Sequence, residues 1–146
     1  MALAPGDSPG FFLWHATLRW QRAVTAALDP LDLTHVQFVL LACTWWLNTH
    51  EGQPNELRLA QQAEIDVKMT SPVLRTLELK GLIERTTDPQ DTRAKRLTVS
   101  EQGEALAPRA IAVVEAVDRA FFPTERKRET LQLLRSLSQG PQHSSP

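Results

Sequence analysis

The sequence has a single cysteine, Cys43, and no apolar run of the roughly 18 residues that a membrane-spanning helix needs. One cysteine excludes an internal disulfide and a cysteine-based zinc site, and it is typical of a reducing compartment. The first ten residues lack the positive charges of a secretory signal. We therefore expect a cytoplasmic protein with no membrane partner.

The usual motifs of catalytic sites are also missing. The chain has no glycine-rich phosphate loop, no His-Glu-x-x-His zinc motif and no Gly-x-Ser-x-Gly nucleophile motif. Its four histidines are scattered without the spacing of metal ligands. These absences favour a protein that is not an enzyme and that holds neither a cofactor nor a metal.

What is present is a balanced globular composition over 146 residues, 42% hydrophobic and 23% charged. A chain of this length forms about one domain and needs no disulfide or metal to be stable. The net charge is only −1, but residues 66–99 carry seven Lys or Arg against five Asp or Glu, a net of +2. Residues 1–65 and 100–146 carry no net positive charge, so we expect any polyanion to bind to this middle segment.

Helix signals frame this segment on both sides. Residues 11–28 contain no proline or glycine and carry a spaced apolar stripe, which predicts a helix. Thr34 and Gln37 form a capping-box pattern that begins a second helix. After the segment, Ser100 is placed to cap a long helix through Phe122, and Thr124 a last helix to about Leu137.

The middle of the chain predicts a winged helix-turn-helix. Residues 55–65 form a short helix and 66–69 the turn, and Thr70-Ser71-Pro72 opens a second helix that Gly81 ends. Residues 82–86 and 95–99 read as the two strands of a hairpin, with turn chemistry at 88–91. A helix of this size fits the major groove of DNA, and the hairpin can reach the backbone or the minor groove.

The expected fold is therefore mainly α with a small β-hairpin wing. A winged helix-turn-helix unit occupies residues 55–99, and a helical region made of 11–54 and 100–138 surrounds it. A flexible arm, 1–10, and a flexible tail, 139–146, complete the chain.

Three stretches in this order resemble the MarR family of bacterial transcriptional regulators. They are Arg58-Leu59-Ala60, the run Leu-Glu-Leu-Lys-Gly-Leu-Ile-Glu-Arg at 77–85, and Asp91-Thr92-Arg93 followed by Leu-Thr-Val-Ser-Glu-Gln-Gly at 97–103. Val99-Ser100 stands where the family has Leu-Thr. The resemblance covers residues 55–103 and implies a regulator that binds double-stranded DNA sequence-specifically. It further implies a repressor that a small aromatic or anionic effector releases.

Candidate DNA contacts lie on the second helix of the unit and on the hairpin. Arg93 at the hairpin tip suits the minor groove, and Asp91 is placed to hold its guanidinium by a bidentate pair. Pro72 removes one base contact that the family often has, which leaves Arg75 as the main base-reading candidate. The full set is Lys68, Thr70, Ser71, Arg75, Thr76, Arg85, Asp91, Arg93 and Lys95.

The two ends of the chain predict a homodimer. In the resembled family the first and last helices of two chains interleave, and here both ends carry large apolar residues: Phe11, Phe12, Leu13, Trp14, Phe121, Phe122, Leu131, Leu134 and Leu137. A symmetric dimer would bury them and space two reading helices by about one DNA turn, ~34–36 Å, which implies a pseudo-palindromic operator.

The effector is expected between these helices and the winged unit. Aromatic walls with a cationic or titratable group suit a phenol or carboxylate. The candidate contacts are Trp14, His15, Arg19, Trp20, His35 and Trp45, although the same tryptophans equally fit a core or a dimer interface.

Two alternatives stay open. The modest charge of +2 and Pro72 favour a winged-helix protein-interaction module without DNA binding. A thiol redox-sensing regulator acting through Cys43 is the other, because one branch of the resembled family senses oxidants. That branch has its reactive cysteine near the first helix, whereas Cys43 falls in the middle of the second.

Overall fold

The computed structural model describes residues 4–140, which form six α-helices and one antiparallel hairpin. The elements are α1 Pro9–Leu28, α2 His35–His50, α3 Glu56–Ala63, α4 Val67–Leu79, β1 Ile83–Thr87, β2 Lys95–Val99, α5 Glu101–Phe121 and α6 Lys127–Gln139. Helices α3 and α4 with the hairpin make a winged helix-turn-helix, so the predicted fold class is confirmed.

Several helices begin where the local signals place them. The backbone N–H of Gln37 donates to Thr34 Oγ1, and that of Thr34 donates to Gln37 Oε1, each over 3.2 Å, so the capping box of α2 is present. Ser100 caps α5 in the same manner, accepting from the backbone N–H of Gly103. These caps depend on residues three apart, which is why the sequence alone reveals them.

The chain ends differ in part from the prediction. Ser8 accepts a hydrogen bond from the backbone N–H of Phe11, so α1 begins at Pro9 and includes the last two residues of the predicted arm. Residues 5–7 form a short 3-10 turn. At the other end α6 runs to Gln139. Residues 1–3 of the arm and 141–146 of the tail lie outside the described part of the chain.

The predicted start of α4 at Thr70 is wrong. The Asp66 carboxylate accepts from the backbone N–H of Lys68 at 2.8 Å and caps a helix that begins at Val67. The tight turn lies earlier, at Glu64, whose φ of 53° is left-handed. Pro72 is thus the sixth residue of α4, and because it has no N–H, the Lys68 carbonyl lacks its helical partner.

Two other predicted boundaries differ slightly from the structure. Strand β1 covers Ile83–Thr87, one residue later than predicted. Helix α6 begins at Lys127 without a side-chain cap, so Thr124 is not its N-cap.

The core is built mainly from leucines that α2 brings together with α3, α4, α5 and the hairpin. Fully buried members are Leu28, Leu40, Leu41, Leu47, Leu59, Leu74, Leu77, Ile83 and Leu97. Helix α5 comes close to the chain that leaves α4, since a Cβ on Gly103 would stand 2.1 Å from the Leu82 carbonyl oxygen. Glycine is therefore needed at this position for packing.

Asn48 fixes the hairpin to α2. Its amide N donates to the carbonyls of Gly52 (2.8 Å) and Leu97 (3.1 Å), and its Oδ1 accepts from the backbone N–H of Val99 (2.9 Å). The N–H of Leu97 also donates to the Pro54 carbonyl over 2.9 Å. The base of β2 is thereby held against the end of α2 and the segment that follows it.

The two ends of the chain are exposed in the isolated protomer. Every residue of α6 except Thr130 is exposed, and so are Phe11 through Trp14 at the start of α1. The exposed leucines of α6 are Leu131, Leu133, Leu134 and Leu137. Apolar surface of this extent indicates a contact with another molecule.

Within residues 4–140, no single helix has the length and hydropathy to cross a bilayer. Two segments joined at an angle of 73° meet that length and hydropathy only when they are combined, Pro9–Leu31 and His35–His50.

Candidate nucleic-acid interface

One side of α4 is exposed and carries two cations. The buried residues Thr70, Leu74 and Leu77 share the side that faces the core. At ~100° per residue, the opposite side consists of Lys68, Pro72, Arg75 and Leu79, and none of these is buried. Two of its four side chains are positively charged, so this outward face is suited to contact phosphate groups.

The C-terminal end of α4 is anchored to the start of α2. Lys80, the residue after the helix, places its ammonium 2.9 Å from Gln37 Oε1 and 3.6 Å from the Asp32 carboxylate. The Gln37 amide that caps α2 therefore also holds α4.

Arg85 on β1 anchors α4 from the other side. Its guanidinium lies 2.7 Å from the Glu56 carboxylate and 3.3 Å from that of Glu78, and it donates to the Ser71 carbonyl over 3.3 Å. One side chain thus joins β1, the start of α3 and the middle of α4. Together with Lys80 it gives the outward face of α4 a fixed orientation.

The predicted DNA contacts on α4 differ in how exposed their side chains are. Lys68 and Arg75 are exposed, and Ser71 and Thr76 are half-buried. Thr70 is fully buried, and its hydroxyl donates to the Asp66 carbonyl at 3.0 Å. Its prediction as a DNA contact is wrong, because the earlier helix start rotates it into the core. Arg85 is only 16% exposed and is engaged by two carboxylates, which favours a structural role for it over a contact with DNA.

At the hairpin tip Arg93 is exposed, but the predicted pairing with Asp91 is wrong. Asp91 Oδ1 accepts from the backbone N–H of Arg93 at 3.0 Å, as in an Asx turn, and not from its guanidinium. The Lys95 ammonium donates to Thr87 Oγ1 over 3.1 Å, across the hairpin. The loop is therefore shaped by Asp91, while the Arg93 guanidinium extends into solvent.

The carboxylate that braces the loop is Asp88, which the sequence reasoning did not single out. Its Oδ2 lies 2.8 Å from Arg96 Nη2 and 3.0 Å from Arg96 Nε, and its Oδ1 accepts from the backbone N–H of Gln90. The hydrogen bond from the Gln90 backbone lowers the pKa of Asp88, and the bonds from Arg96 lower it further. The signal for it was an aspartate directly before proline at the end of a strand, where an Asx turn is common.

The six predicted effector contacts do not form one pocket in the protomer. Trp20 and His35 meet edge to face at 5.0 Å, and the Trp20 indole donates to Asp118 over 2.8 Å. Burial lowers the pKa of His35, while the nearby Asp118 charge acts in the opposite direction. Asp118 on α5 joins these two residues, and no sequence signal pointed to it.

The other four candidates lie apart from this cluster. Arg19 stands 6.0 Å from the centre of the Phe121 ring, Trp14 is 62% exposed, and the His15 ring lies 4.3 Å from that of Phe11. Trp45 donates to Glu104 over 3.4 Å and is ten residues from His35 on α2, about 15 Å along the helix axis.

An open groove of about 580 Å³ runs along α1 and contains none of the six. It is lined by Leu18, Gln21, Arg22, Thr25, Ala26 and Asp29. Arg22 gives it one cation. In the described part of the chain, no group of three or more His, Cys, Asp or Glu side chains is arranged to hold a metal ion.

Comparison with known proteins gives three consistent findings. A family model described as the MarR family matches residues 33–95. An uncharacterized HTH-type transcriptional regulator of Bacillus subtilis, YdcH, is 45% identical over 125 residues, which are 86% of this chain and 85% of YdcH. The HTH-type transcriptional repressor Rv2887 of Mycobacterium tuberculosis is 33% identical over 140 residues, 94% of this chain and 98% of the repressor.

Solved structures agree with these relatives. Rv2887, a MarR family protein solved in complex with salicylic acid, is 32% identical and superposes with a TM-score of 0.69 over 92% of this chain and 99% of that one. BpsR of Bordetella bronchiseptica, whose DNA binding is regulated by 6-hydroxynicotinic acid, has a TM-score of 0.84 at 21% identity, over 97% of this chain and all of that one. At that identity the second comparison shows the fold alone.

Proposed function

The chain belongs to the MarR family of HTH-type transcriptional regulators, and from this we propose that it is a homodimeric repressor whose DNA binding is released by a small aromatic anion. In this proposal it acts in the cytoplasm on double-stranded DNA and has no catalytic activity.

The observation that carries the DNA-binding proposal is the outward face of α4. Lys68 and Arg75 are exposed on it, opposite the buried stripe, and the anchors at Lys80 and Arg85 fix its direction. A helix of a helix-turn-helix held in this way can enter the major groove, with cations beside the phosphates. The proposed contacts are Lys68, Ser71, Arg75, Thr76, Arg93 and Lys95, with Asp91 shaping the loop that carries Arg93.

Dimerisation is supported by the ends of the chain. Helix α6 exposes four leucines, and α1 exposes four consecutive large apolar residues, 11–14. A two-fold interface between copies would bury both sets, because the same patches then meet their own equivalents. Two copies of α4 related by a two-fold axis would read a pseudo-palindromic operator.

The effector proposal rests on the relationship to Rv2887. That repressor is bound to salicylic acid in its structure, and it is one-third identical to this chain over nearly the whole length of both. The groove along α1 offers Arg22 as a partner for a carboxylate, and Arg19 and Trp14 lie on the same helix. We place the effector in this groove, with the partner protomer closing its open side.

The test is a fluorescence-anisotropy titration of labelled duplexes with the wild-type protein over a range of salt concentrations. The probes are the DNA upstream of the protein's own gene and a scrambled duplex of equal length. We expect tighter binding to the upstream DNA, and a log–log salt slope of about −0.9 for each phosphate contact. Addition of salicylate is expected to lower the affinity for the upstream DNA without unfolding the protein.

The outcomes separate the parts of the proposal. Absence of binding to either duplex at low salt would refute DNA binding and favour the protein-interaction module. Binding that salicylate leaves unchanged would refute this effector while retaining the regulator.

A further inference from the structure

The first turns of α4 expose apolar side chains that the fold does not use. Met69 is 66% exposed and Val67 is 40% exposed. Met69, Pro72 and Thr76 follow one another at spacings of three and four residues, so they lie side by side along the helix. We call these three residues the apolar strip. It shares Pro72 with the outward face and lies beside Lys68 and Arg75.

Few groups on this face are free for hydrogen bonds to bases. Helix α4 contains no asparagine or glutamine, the residues that recognise adenine by a bidentate pair. The hydroxyl of Thr76 donates to the Pro72 carbonyl at 3.3 Å, and that of Thr70 is buried. Thr76 therefore has its donor occupied, and its methyl group is available for a new contact.

The strip is separate from the surfaces that other contacts would cover. Helix α4 packs against α2, α3 and β1 through its opposite side. The exposed apolar residues that a dimer would bury are on α1 and α6, which do not pack against α4. The exposed apolar area is instead bordered by two cations, so the surface that covers it is expected to be both negatively charged and apolar in places.

The major groove of DNA meets both conditions. Phosphates flank it, and the C5-methyl group of thymine is the apolar group that its base edges display. We infer that the apolar strip reads thymine by packing against this methyl group, next to a guanine contacted by Arg75. Met69 is the principal contact, because its flexible thioether chain adapts to an irregular surface. The inference rests on the proposed DNA-binding function and adds a base preference to it.

The experiment replaces thymine by deoxyuridine, which removes the methyl group and leaves base pairing unchanged. Duplexes are first selected from a random-sequence pool by the wild-type protein, and each thymine of a selected duplex is then replaced in turn. We expect affinity to fall about fourfold for each methyl group that the strip contacts. This factor corresponds to the free energy gained by burying one CH2 group. One or two thymines in each half-site should show this effect.

Variants assign the effect to the strip. Met69→Ala is expected to bind the thymine and deoxyuridine duplexes with equal affinity at the position that Met69 reads, whereas Met69→Leu should keep the difference. Leu57→Ala is the matched control. Leu57 is 55% exposed, but it lies on α3, outside the outward face of α4 and the apolar strip, and its loss should leave the difference unchanged. Because Met69 is exposed, Met69→Ala should unfold at the wild-type temperature.

The outcomes distinguish this inference from the function beneath it. If the wild-type protein retains no duplex from the pool at low salt, DNA binding itself fails, and the inference with it. If it retains duplexes whose affinity is insensitive to deoxyuridine, or if Met69→Ala keeps the wild-type sensitivity, the regulator stands and the thymine-reading role of the strip is refuted.

Discussion

The guanidinium of Arg85, on the first strand of the hairpin, lies 2.7 Å from the carboxylate of Glu56, in the first turn of α3. A second carboxylate, that of Glu78 on α4, is 3.3 Å from the same group. Arg85 therefore separates two negative charges that belong to different elements. Its position relates the hairpin to both helices of the DNA-binding unit.

The first prediction concerns the loss of this arginine. Arg85→Met keeps much of the aliphatic stem but leaves two carboxylates without a counter-charge in a largely buried site. We expect the free energy of unfolding to fall by about 2–3 kcal/mol, less than for a fully buried pair. Urea denaturation measures it. Arg58→Met, which removes a solvent-exposed pair with Glu51, is the control and should cost much less. Equal losses would contradict this role for Arg85.

The second prediction separates Arg75 from Arg93. Arg93→Ala should weaken binding to all duplexes alike and reduce the magnitude of the salt slope by about one, because it removes a sequence-independent contact. Arg75→Ala should in addition lower the discrimination between specific and random DNA by about 1–3 kcal/mol. Anisotropy titrations on both duplexes measure these effects. Arg109→Ala, at an exposed arginine of α5, is the control. Identical effects of the two variants on both duplexes would contradict the division.

The third prediction concerns dimerisation through α6. Leu134→Asp with Leu137→Asp should raise the dimer dissociation constant roughly 100-fold or more, because an unpaired charge is costly to bury. Sedimentation measures the association. Gln132→Asp adds a charge on the opposite side of the same helix and should leave the dimer intact. A dimer that persists in the double variant would place the interface elsewhere.

The fourth prediction is a pH dependence from His35. Burial lowers the pKa of His35 in the folded protein below its ordinary value of 6.5. The unfolded chain then binds more protons, so this contribution to stability is complete above pH 6.5 and is lost as the pH falls from there through the folded pKa. His35→Gln should therefore show a smaller drop in melting temperature than the wild type between about pH 7.5 and 5.

A second variant tests the opposing effect of Asp118 on the pKa of His35. Asp118→Asn removes the charge that raises the pKa of His35 but keeps an oxygen to accept from the Trp20 indole. The melting temperature of this variant should fall more steeply than that of the wild type over the same pH range. A wild-type curve and a His35→Gln curve that run parallel would show that His35 contributes nothing.

The fifth prediction is that Cys43 does not sense oxidants. The thiol is half-buried in the middle of α2, and burial raises its pKa, so little of the reactive thiolate is present at neutral pH. We expect Ellman's reagent to react far more slowly with the folded protein than with the protein in urea. DNA affinity should be the same before and after peroxide treatment, in the wild type and in Cys43→Ala. Loss of binding confined to the wild type would revive the redox-sensing alternative.

Local signals predicted the fold well. The capping box at Thr34 and the cap at Ser100 depend on neighbours three residues away, and the hairpin strands on alternation within five residues. The predicted start of α4 was wrong because Pro72 resembles a proline of a first helical turn, whereas the residue that caps the helix is Asp66. That shift of three residues accounts for the misplaced Thr70.

The site was less predictable because its key pairs join distant residues. Arg96 pairs with Asp88 across the hairpin, and Arg85 reaches back to Glu56 on α3. In the sequence Asp91 and Arg93 were the nearer pair, but a carboxylate two residues before an arginine can bond its backbone N–H more easily than its guanidinium. The Trp20–Asp118 contact spans 98 residues and leaves no local trace.

The attachment of the hairpin through Asn48 bears on how such a regulator can change its target. Because the amide of Asn48 bonds Leu97 and Val99, the attachment of β2 to α2 does not involve the loop between Asp88 and Ala94. We therefore expect that loops of other lengths and charges can replace this one while β2 keeps its place on α2. The DNA preference of the hairpin loop and that of α4 could then be changed separately. The protein would be a suitable host for exchanging the loop without redesigning the helix.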